Sequence, residues 1–378
     1  MKISNDLYNR TECIRCVLTI NDDPTIEFDE HGVCNYCNNF DNIMDNQVAP
    51  YGERMQNLKA KLSEIKRNKK SKYDCILGVS GGVDSTYLAY WAWKNELNPL
   101  LVHMDNGWNS ELAVKNIDNI INYTNFDLHT HVLDWEEFKQ LQIAYLKASV
   151  IDIEVLTDHA ISAIIHDLAQ KYNINYVLTG WNNATELIMP KGWTYDKTDF
   201  LNIKDIAKQY GQITSFKTFP KLTFWKKLYY HFILKLERVD VLNYLDYNKE
   251  DAKSAIIEQF NWKDYGGKHY ESLFTKFYQA YILPTKFGID KRKAHLSSLI
   301  CSGQITKTKA KNELAKDLYK REELEEEMEY ILKKLRLSND EFEAIMKKDI
   351  KSHKEFDTDQ RLWNRYFSLT SSIKRIFK

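Results

Sequence analysis

Tyr73-Asp-Cys-Ile-Leu-Gly-Val-Ser80 runs directly into Gly81-Gly82-Val83-Asp84-Ser85. The first part is a short apolar run of the kind that forms a buried strand. The second contains adjacent glycines, which accept positive φ and let the backbone approach a ligand closely. Helical texture follows from 84 to 96. A strand that ends in glycines and opens a helix aims backbone amides, and the positive end of the helix dipole, at one point. Ser80 and Ser85 add hydroxyl donors to this anion cradle. Asp84 is out of place there unless a cation accompanies the anion, and magnesium bridging phosphate oxygens meets that requirement. The loop lacks the lysine of G-x-x-x-x-G-K-[ST] and the spacing of G-x-G-x-x-G.

Similar apolar runs recur downstream. Pro99 to Asp105, Asp127 to Leu133 and Ile174 to Thr179 read as further strands, separated by helical stretches at 84–96, 110–123 and 135–172 with a break near Leu156. Strands alternating with helices imply an α/β fold with a parallel sheet covered on both faces. Ligands of such sheets bind beyond the carboxyl ends of the strands. Asp105 ends the second strand, and Gly180 and Asn182 follow the fourth, with Glu186 a turn later. Asn182 and Glu186 suit a helix cap and an exposed helical position equally well. After about residue 200 the strand signal fades, and 221–378 reads as a helical region.

The 378 residues carry 53 Lys+Arg against 53 Asp+Glu, for a net charge of zero. That balance argues against a protein held mainly by nucleic-acid phosphates. Only 13 glycines are present, under half the usual share of about 7%, as expected of a helix-rich chain. The greasiest stretch, Leu222 to Leu236, is broken by Lys226, Lys227 and Lys235, so no membrane span is expected and the chain reads as cytoplasmic.

Four of the six cysteines fall within the first 40 residues, as Cys13-x-x-Cys16 and Cys34-x-x-Cys37. This spacing is that of a zinc ribbon. A segment so small cannot hold itself together by apolar burial, and four thiolates on zinc supply the missing stabilisation. Because four protein ligands leave no open position, the zinc is expected to be structural. The expected organisation is a ribbon at 1–50, a charged linker helix at 51–72, a nucleotide-binding domain at 73–220 and the helical region at 221–378. That last region has a basic segment near 265–300.

The hexapeptide SGGVDS, in its strand-to-helix context, resembles the PP-loop of the ATP pyrophosphatases (adenine nucleotide alpha hydrolase-like fold). The wider chain resembles the N-acetyl sugar amidotransferases of bacterial surface-polysaccharide and lipopolysaccharide biosynthesis (WbpG-type). Three blocks carry this: both cysteine pairs, the loop itself, and Tyr265-Gly-Gly-Lys-His-Tyr-Glu-Ser272 running on through Pro284-Thr-Lys-Phe-Gly-Ile-Asp-Lys-Arg-Lys-Ala-His-Leu-Ser297. Together they span about 13–305.

The resemblance implies conversion of a sugar N-acetamido group to an acetamidino group, driven by ATP with release of AMP and pyrophosphate. ATP and Mg2+ would be held by Ser80, Gly81, Gly82, Val83, Asp84 and Ser85, with Asp105, Gly180 and Asn182 beside the nucleotide. Lys286, Lys291, Arg292 and His295 are concentrated within ten residues of a neutral chain. Cations there would stabilise a departing pyrophosphate, or bind the diphosphate of a nucleotide sugar. Lys286, Lys291 and Arg292 are therefore expected to join Asp84 in the chemistry. Glu186, Lys268, His269 and His295 are expected to touch substrate. The general base stays open among Asp105, Glu186, His269 and His295.

Cys75 lies within the first strand, and Cys301 sits in Leu-Ile-Cys-Ser-Gly, without the surroundings of a nucleophile elbow. With no recognisable glutaminase in the chain, ammonia is expected from a separate HisH/HisF-like glutaminase complex. A tRNA-modifying enzyme shares the loop but needs a basic face, and a thiolase needs a further reactive cysteine pair. A non-enzymatic ribbon module predicts a broken phosphate loop, whereas this loop is complete.

Overall fold

The computed structural model describes residues 11–211, 213–265, 270–364 and 366. Two helices, α1 (Asn35–Asn46) and α2 (Tyr51–Arg67), precede β1 (Cys75–Gly78) and α3 (Val83–Lys94). Then come β2 (Pro99–Asp105), α4 (Glu111–Thr124), β3 (Leu128–Val132), α5 (Trp135–Ala148), α6 (Val155–Tyr172) and β4 (Tyr176–Thr179). Beyond a short α7 (Asn183–Glu186) lie α8 (Phe200–Gly211), α9 (Phe224–Tyr229) and β5 (Glu237–Asp240). The rest is helical: α10 (Lys249–Phe260), α11 (Leu273–Phe277), α12 (Arg292–Cys301), α13 (Lys307–Leu314), α14 (Arg321–Leu335) and α15 (Asn339–Lys347). Wide π-helical turns at Tyr278–Phe287 extend α11 and accommodate Pro284.

All five strands are parallel, in the order β3-β2-β1-β4-β5. Side chains alternate between two cores. Ile76, Leu100, Val102 and Met104 face a cluster shared with α5, α6 and α8. Cys75, Leu77 and Leu101 face one shared with α2, α3, α4 and α10. Both faces are therefore covered, as an all-parallel sheet requires. The four strands read from sequence are present, the second with the expected ends and the other three shorter. The helix break falls at 149–154, just ahead of Leu156, where Ser149 takes φ 62°.

Three differences from expectation have physical causes. Strand β5 lies inside the region read as helical. Its sequence, Glu-Arg-Val-Asp, buries only Val239, so an edge strand with one apolar contact leaves no period-2 signal. The 51–72 segment is more than a linker. Leu58 and Ile65 of α2 belong to the sheet's second core, and Glu64 and Asn68 hydrogen-bond the Tyr176 hydroxyl. The glycine scarcity is met by asparagine: α4, α6 and α10 end on Asn125, Asn173 and Asn261, all with φ between 51° and 56°. Asparagine tolerates this left-handed cap better than other residues with a Cβ. Among the described residues no helix is long and apolar enough to cross a membrane.

Candidate functional site

Strands β1, β2 and β3 build the sheet in one direction, and β4 returns to the other side of β1. The crevice between β1 and β4 is thus the topological switch point, where an open parallel sheet offers its ligand site. Residues 80–85 leave β1 at this point. Gly81 has φ +82°, and a Cβ there would meet the Ala113 carbonyl at 2.6 Å. Across the crevice, a Cβ on Gly180 would lie 3.1 Å from the Asp84 carbonyl carbon. Both glycines are required by close backbone approach. The Gly81 carbonyl accepts from Trp262 Nε1 (2.8 Å) and Asn116 Nδ2 (3.4 Å), which anchors the loop from behind. Ser80 is exposed at the mouth, with its hydroxyl 3.3 Å from that of Ser85. No side chain caps the start of α3, so its first amides face the same space as the serines.

Asp84 accepts a hydrogen bond from the Tyr247 hydroxyl. Burial, then the Asp84 carboxylate, push the Tyr247 pKa up and keep this hydroxyl a donor. Tyr265 stands over the loop, its hydroxyl 3.0 Å from where a Gly82 Cβ would be, and burial and then Glu271 raise its pKa. Asp105 closes a turn after β2 by accepting from the Gly107 amide (2.8 Å) and Asn109 Nδ2 (3.2 Å). His103 spans the Val79 carbonyl (3.1 Å) and Asn109 (3.0 Å), tying that turn to β1. The segment at 271–273 pairs across 108–110, through Ser110 N to Glu271 O (2.8 Å) and Leu273 N to Trp108 O (2.9 Å).

The loop, Gly180, Glu186 and His295 are brought to one end of the sheet. Asn182 is there too, but as a cap. It is buried, accepts from the Thr185 amide (2.9 Å) and donates to the Gly180 carbonyl (3.2 Å). Glu186 is close enough to raise the Tyr247 pKa. His295 reaches the Thr185 carbonyl (2.9 Å) and the Lys249 ammonium (3.3 Å).

The basic segment disperses instead of converging. Lys286 donates to the carbonyls of Ile345 (2.7 Å), Met346 (3.1 Å) and Lys348 (2.7 Å), capping α15. Burial and then Lys348 lower its pKa. Arg292 is held by Asp290 and donates to the carbonyls of Glu313, Leu314 and Lys316, capping α13. Lys291 faces Glu154 at 3.4 Å, at the start of α6. Lys268 and His269 lie outside the described residues.

Sequence reasoning singled out neither Tyr247 nor Trp262 nor Asn116, which have no motif of their own. Tyr265 and Glu271 were within reach, both lying in the Tyr265–Ser272 block.

The second constellation is the cysteine quartet. All four residues are fully buried and their sulfurs lie within 4.8 Å of one another. Cys13–Cys37 and Cys16–Cys34 are 3.9 and 3.7 Å apart. Tetrahedral zinc with Zn–S of about 2.3 Å requires sulfurs about 3.8 Å apart, so the donor set fits. The amides of Cys16 and Cys34 point at Cys13 Sγ (3.4 and 3.3 Å), as amides do toward a thiolate. Sharing of hydrogen bonds among the sulfurs drives the Cys13 pKa down and the Cys37 pKa up, and a metal would replace that sharing. Cys301 brings a fifth sulfur to 3.4 Å from Cys37. Lys293–Asp22 (2.8 Å) and Trp193 Nε1 to the Asp22 carbonyl (2.6 Å) clamp the ribbon onto the body.

Residues 271–370 match the family model described as LPS biosynthesis protein WbpG-like, C-terminal domain. The resemblance read from motifs stops near 305, and this match carries it on to 370. Among curated proteins, one of Methanocaldococcus jannaschii, described as uncharacterised, is 31% identical over 121 residues. That stretch is 31% of this chain and spans only 41% of the relative's length. Among solved structures, an NMN synthetase from Francisella tularensis overlaps 36% of this chain and 56% of its own, at 20% identity and a TM-score of 0.29. An ammonia-dependent NAD synthetase from Campylobacter jejuni overlaps 57% of this chain and 86% of its own, at 15% identity and a TM-score of 0.31. Residues 271–370 are thus similar to a WbpG-like C-terminal domain, and the first residues of that stretch pair with 108–110 at the loop end of the sheet.

Proposed function

We propose that the chain is an ATP-dependent amidotransferase that converts a sugar N-acetamido group into an acetamidino group in surface-glycan biosynthesis. One observation carries this reading: the glycine loop sits at the switch point of the sheet, and the WbpG-like domain begins where the chain crosses it.

Loop amides 82–85 and the Ser80 and Ser85 hydroxyls bind the β- and γ-phosphates of ATP, and Gly180 lets the Asp84 backbone pack against the end of β4 beside the nucleotide. Asp84, oriented by Tyr247, would hold Mg2+, which when bound neutralises phosphate charge. The sugar amide oxygen attacks the α-phosphorus, and the bond to the bridging oxygen breaks as pyrophosphate leaves into the loop. The amide proton is lost and an O-adenylyl imidate forms. Ammonia then attacks the imidate carbon, and AMP departs with the former amide oxygen, leaving the amidine. Glu186 and His295, at the same end of the sheet as the loop, contact the sugar. The four cysteines hold Zn2+ structurally, and ammonia comes from a separate glutaminase complex of HisH/HisF type.

The geometry revises the cationic part of the scheme. With Lys286 and Arg292 committed to helix carbonyls, Lys291 is the member of that trio left at the start of α6.

Mass spectrometry tests the reaction. Candidate N-acetylated nucleotide sugars incubated with protein, ATP, Mg2+ and ammonium should yield a product lighter by about one mass unit, because an imino group replaces an oxygen. AMP should appear in equal amount. ADP in place of AMP, or AMP with no change in any sugar tested, would count against it.

A further inference from the structure

Helix α9 and the π-helical turns after it (Tyr230–Leu234) present Trp225, Tyr229, Phe232 and Ile233 to solvent, 75%, 39%, 49% and 67% exposed. Spaced at i, i+4, i+7 and i+8, they share one face. Trp363 and Tyr366 join this face, with Trp363 against Phe224 (4.9 Å) and Tyr366 against Phe232 (6.1 Å). The charge around it is as one-sided as the apolar surface. Residues 216–236 hold five lysines and no carboxylate. Trp363 and Tyr366 are far from this segment in sequence and meet it only in the folded protein. Lys226 and Lys227 are paired to Asp167 and Asp359. Lys217, Lys235 and Arg361 are exposed and form no ion pair among the described residues.

The face is also well placed. Leu234 accepts from Asn175 Nδ2 (2.7 Å), just ahead of β4, so the patch lies at the amino-terminal edge of the sheet. The loop at 80–85 is at the opposite, carboxyl-terminal edge.

We propose that this face docks peripherally on an anionic lipid surface, leaving the nucleotide crevice turned away from it. Exposed Trp, Tyr, Phe and Ile bordered by lysines is the composition of an interfacial anchor, in which apolar insertion and attraction to anionic headgroups add. A second copy is the poorer occupant, since a two-fold contact would set cations against cations. The apolar tip made by Phe232 and Ile233 has no use on a nucleic-acid backbone.

Co-sedimentation of the full chain with vesicles is the test. Binding is expected to phosphatidylcholine–phosphatidylglycerol vesicles, to weaken with salt, and to be much weaker on phosphatidylcholine alone. Trp225→Ser/Phe232→Ser/Ile233→Ser, all at exposed positions, should lower the partition coefficient about 100-fold while leaving ATP binding unchanged. Lys235→Glu should reduce binding only at low salt. Absence of binding to the anionic vesicles would overturn the proposal. So would equal binding by the triple variant, or a solution dimer that the same three substitutions dissociate.

Discussion

Residues 80–85 and residues 286–292 both look like anion sites in sequence, and the fold treats them in opposite ways. The loop has no lysine or arginine, and among the described residues its hydroxyls bond only within the loop, where Ser80 accepts from the Gly82 amide and Ser85 donates to the Gly82 carbonyl, at a switch point braced by Trp262, Asn116 and Gly180. The basic segment has three cations, yet two of them are spent on helix carbonyls and the third faces a glutamate. A local density of charge therefore does not by itself leave cations free for a ligand. Cations near a helix end have carbonyl partners within reach, and folding gives them those partners first.

Substitutions can break this contrast. Asp84→Ala is expected to have the largest effect: magnesium-dependent AMP release should fall by about 1,000-fold, with zinc content by atomic absorption unchanged. Asp84→Asn, which keeps an acceptor for Tyr247, should fold normally yet lose nearly as much activity. Full activity in either variant would remove the assignment of Asp84 to the cation.

On the other side of the comparison, Arg292→Ala should lower stability by about 2 kcal/mol, because three carbonyls and Asp290 lose a shared donor. Its kcat should stay within a few-fold of wild type. A large drop in kcat with unchanged thermal stability would return Arg292 to the reaction. Smaller still, Gly180→Ala should weaken ATP affinity about tenfold, measured by calorimetry, since Asp84 must shift by a few tenths of an ångström to admit a methyl.

A pH series probes the frame that supports both regions. His159 is fully buried, with Nδ1 donating to the Lys197 carbonyl (3.0 Å) and Nε2 accepting from the Leu222 amide (3.0 Å). Protonation would set an N–H against an N–H, and burial pushes its pKa down to about 4. Burial does the same to His353, also to about 4. The unfolded chain therefore binds protons here before the folded one does. Stability from this source is complete above about 6.5, erodes as pH falls, and stops eroding below about 4. At pH 5 each histidine should cost about 2 kcal/mol. His159→Gln should flatten the dependence of denaturation midpoint on pH. An unaltered slope would show that His159 titrates normally.

Much of the frame was legible in the sequence because its signals are local. Buried parallel strands appear as apolar runs, and the Ser80–Ser85 hexapeptide needs only its flanking strand and helix. The cysteine cluster was legible because each pair sits in one short loop, three residues apart. Strand β5 was hidden, since an edge strand with one buried residue carries no pattern. Tyr247 was hidden as well: its role depends on Asp84, 163 residues away in sequence. Asn182 was ambiguous in sequence, and its two short hydrogen bonds settle it as a cap.

By itself the sequence determined the alternation of strands and helices, the glycine loop between the first pair, and a cluster of four cysteines with metal-ligand spacing, because each depends on neighbours within a few residues or on a fixed spacing. Tertiary structure decided which charges are free. It spent Lys286 and Arg292 on distant helix ends, set Gly180 against Asp84, and brought Trp363 and Tyr366 onto the aromatic face of Phe224 and Phe232. Those outcomes depend on which groups the chain brings together in space, and an unpaired charge or amide can be recognised only once its possible partners have been placed.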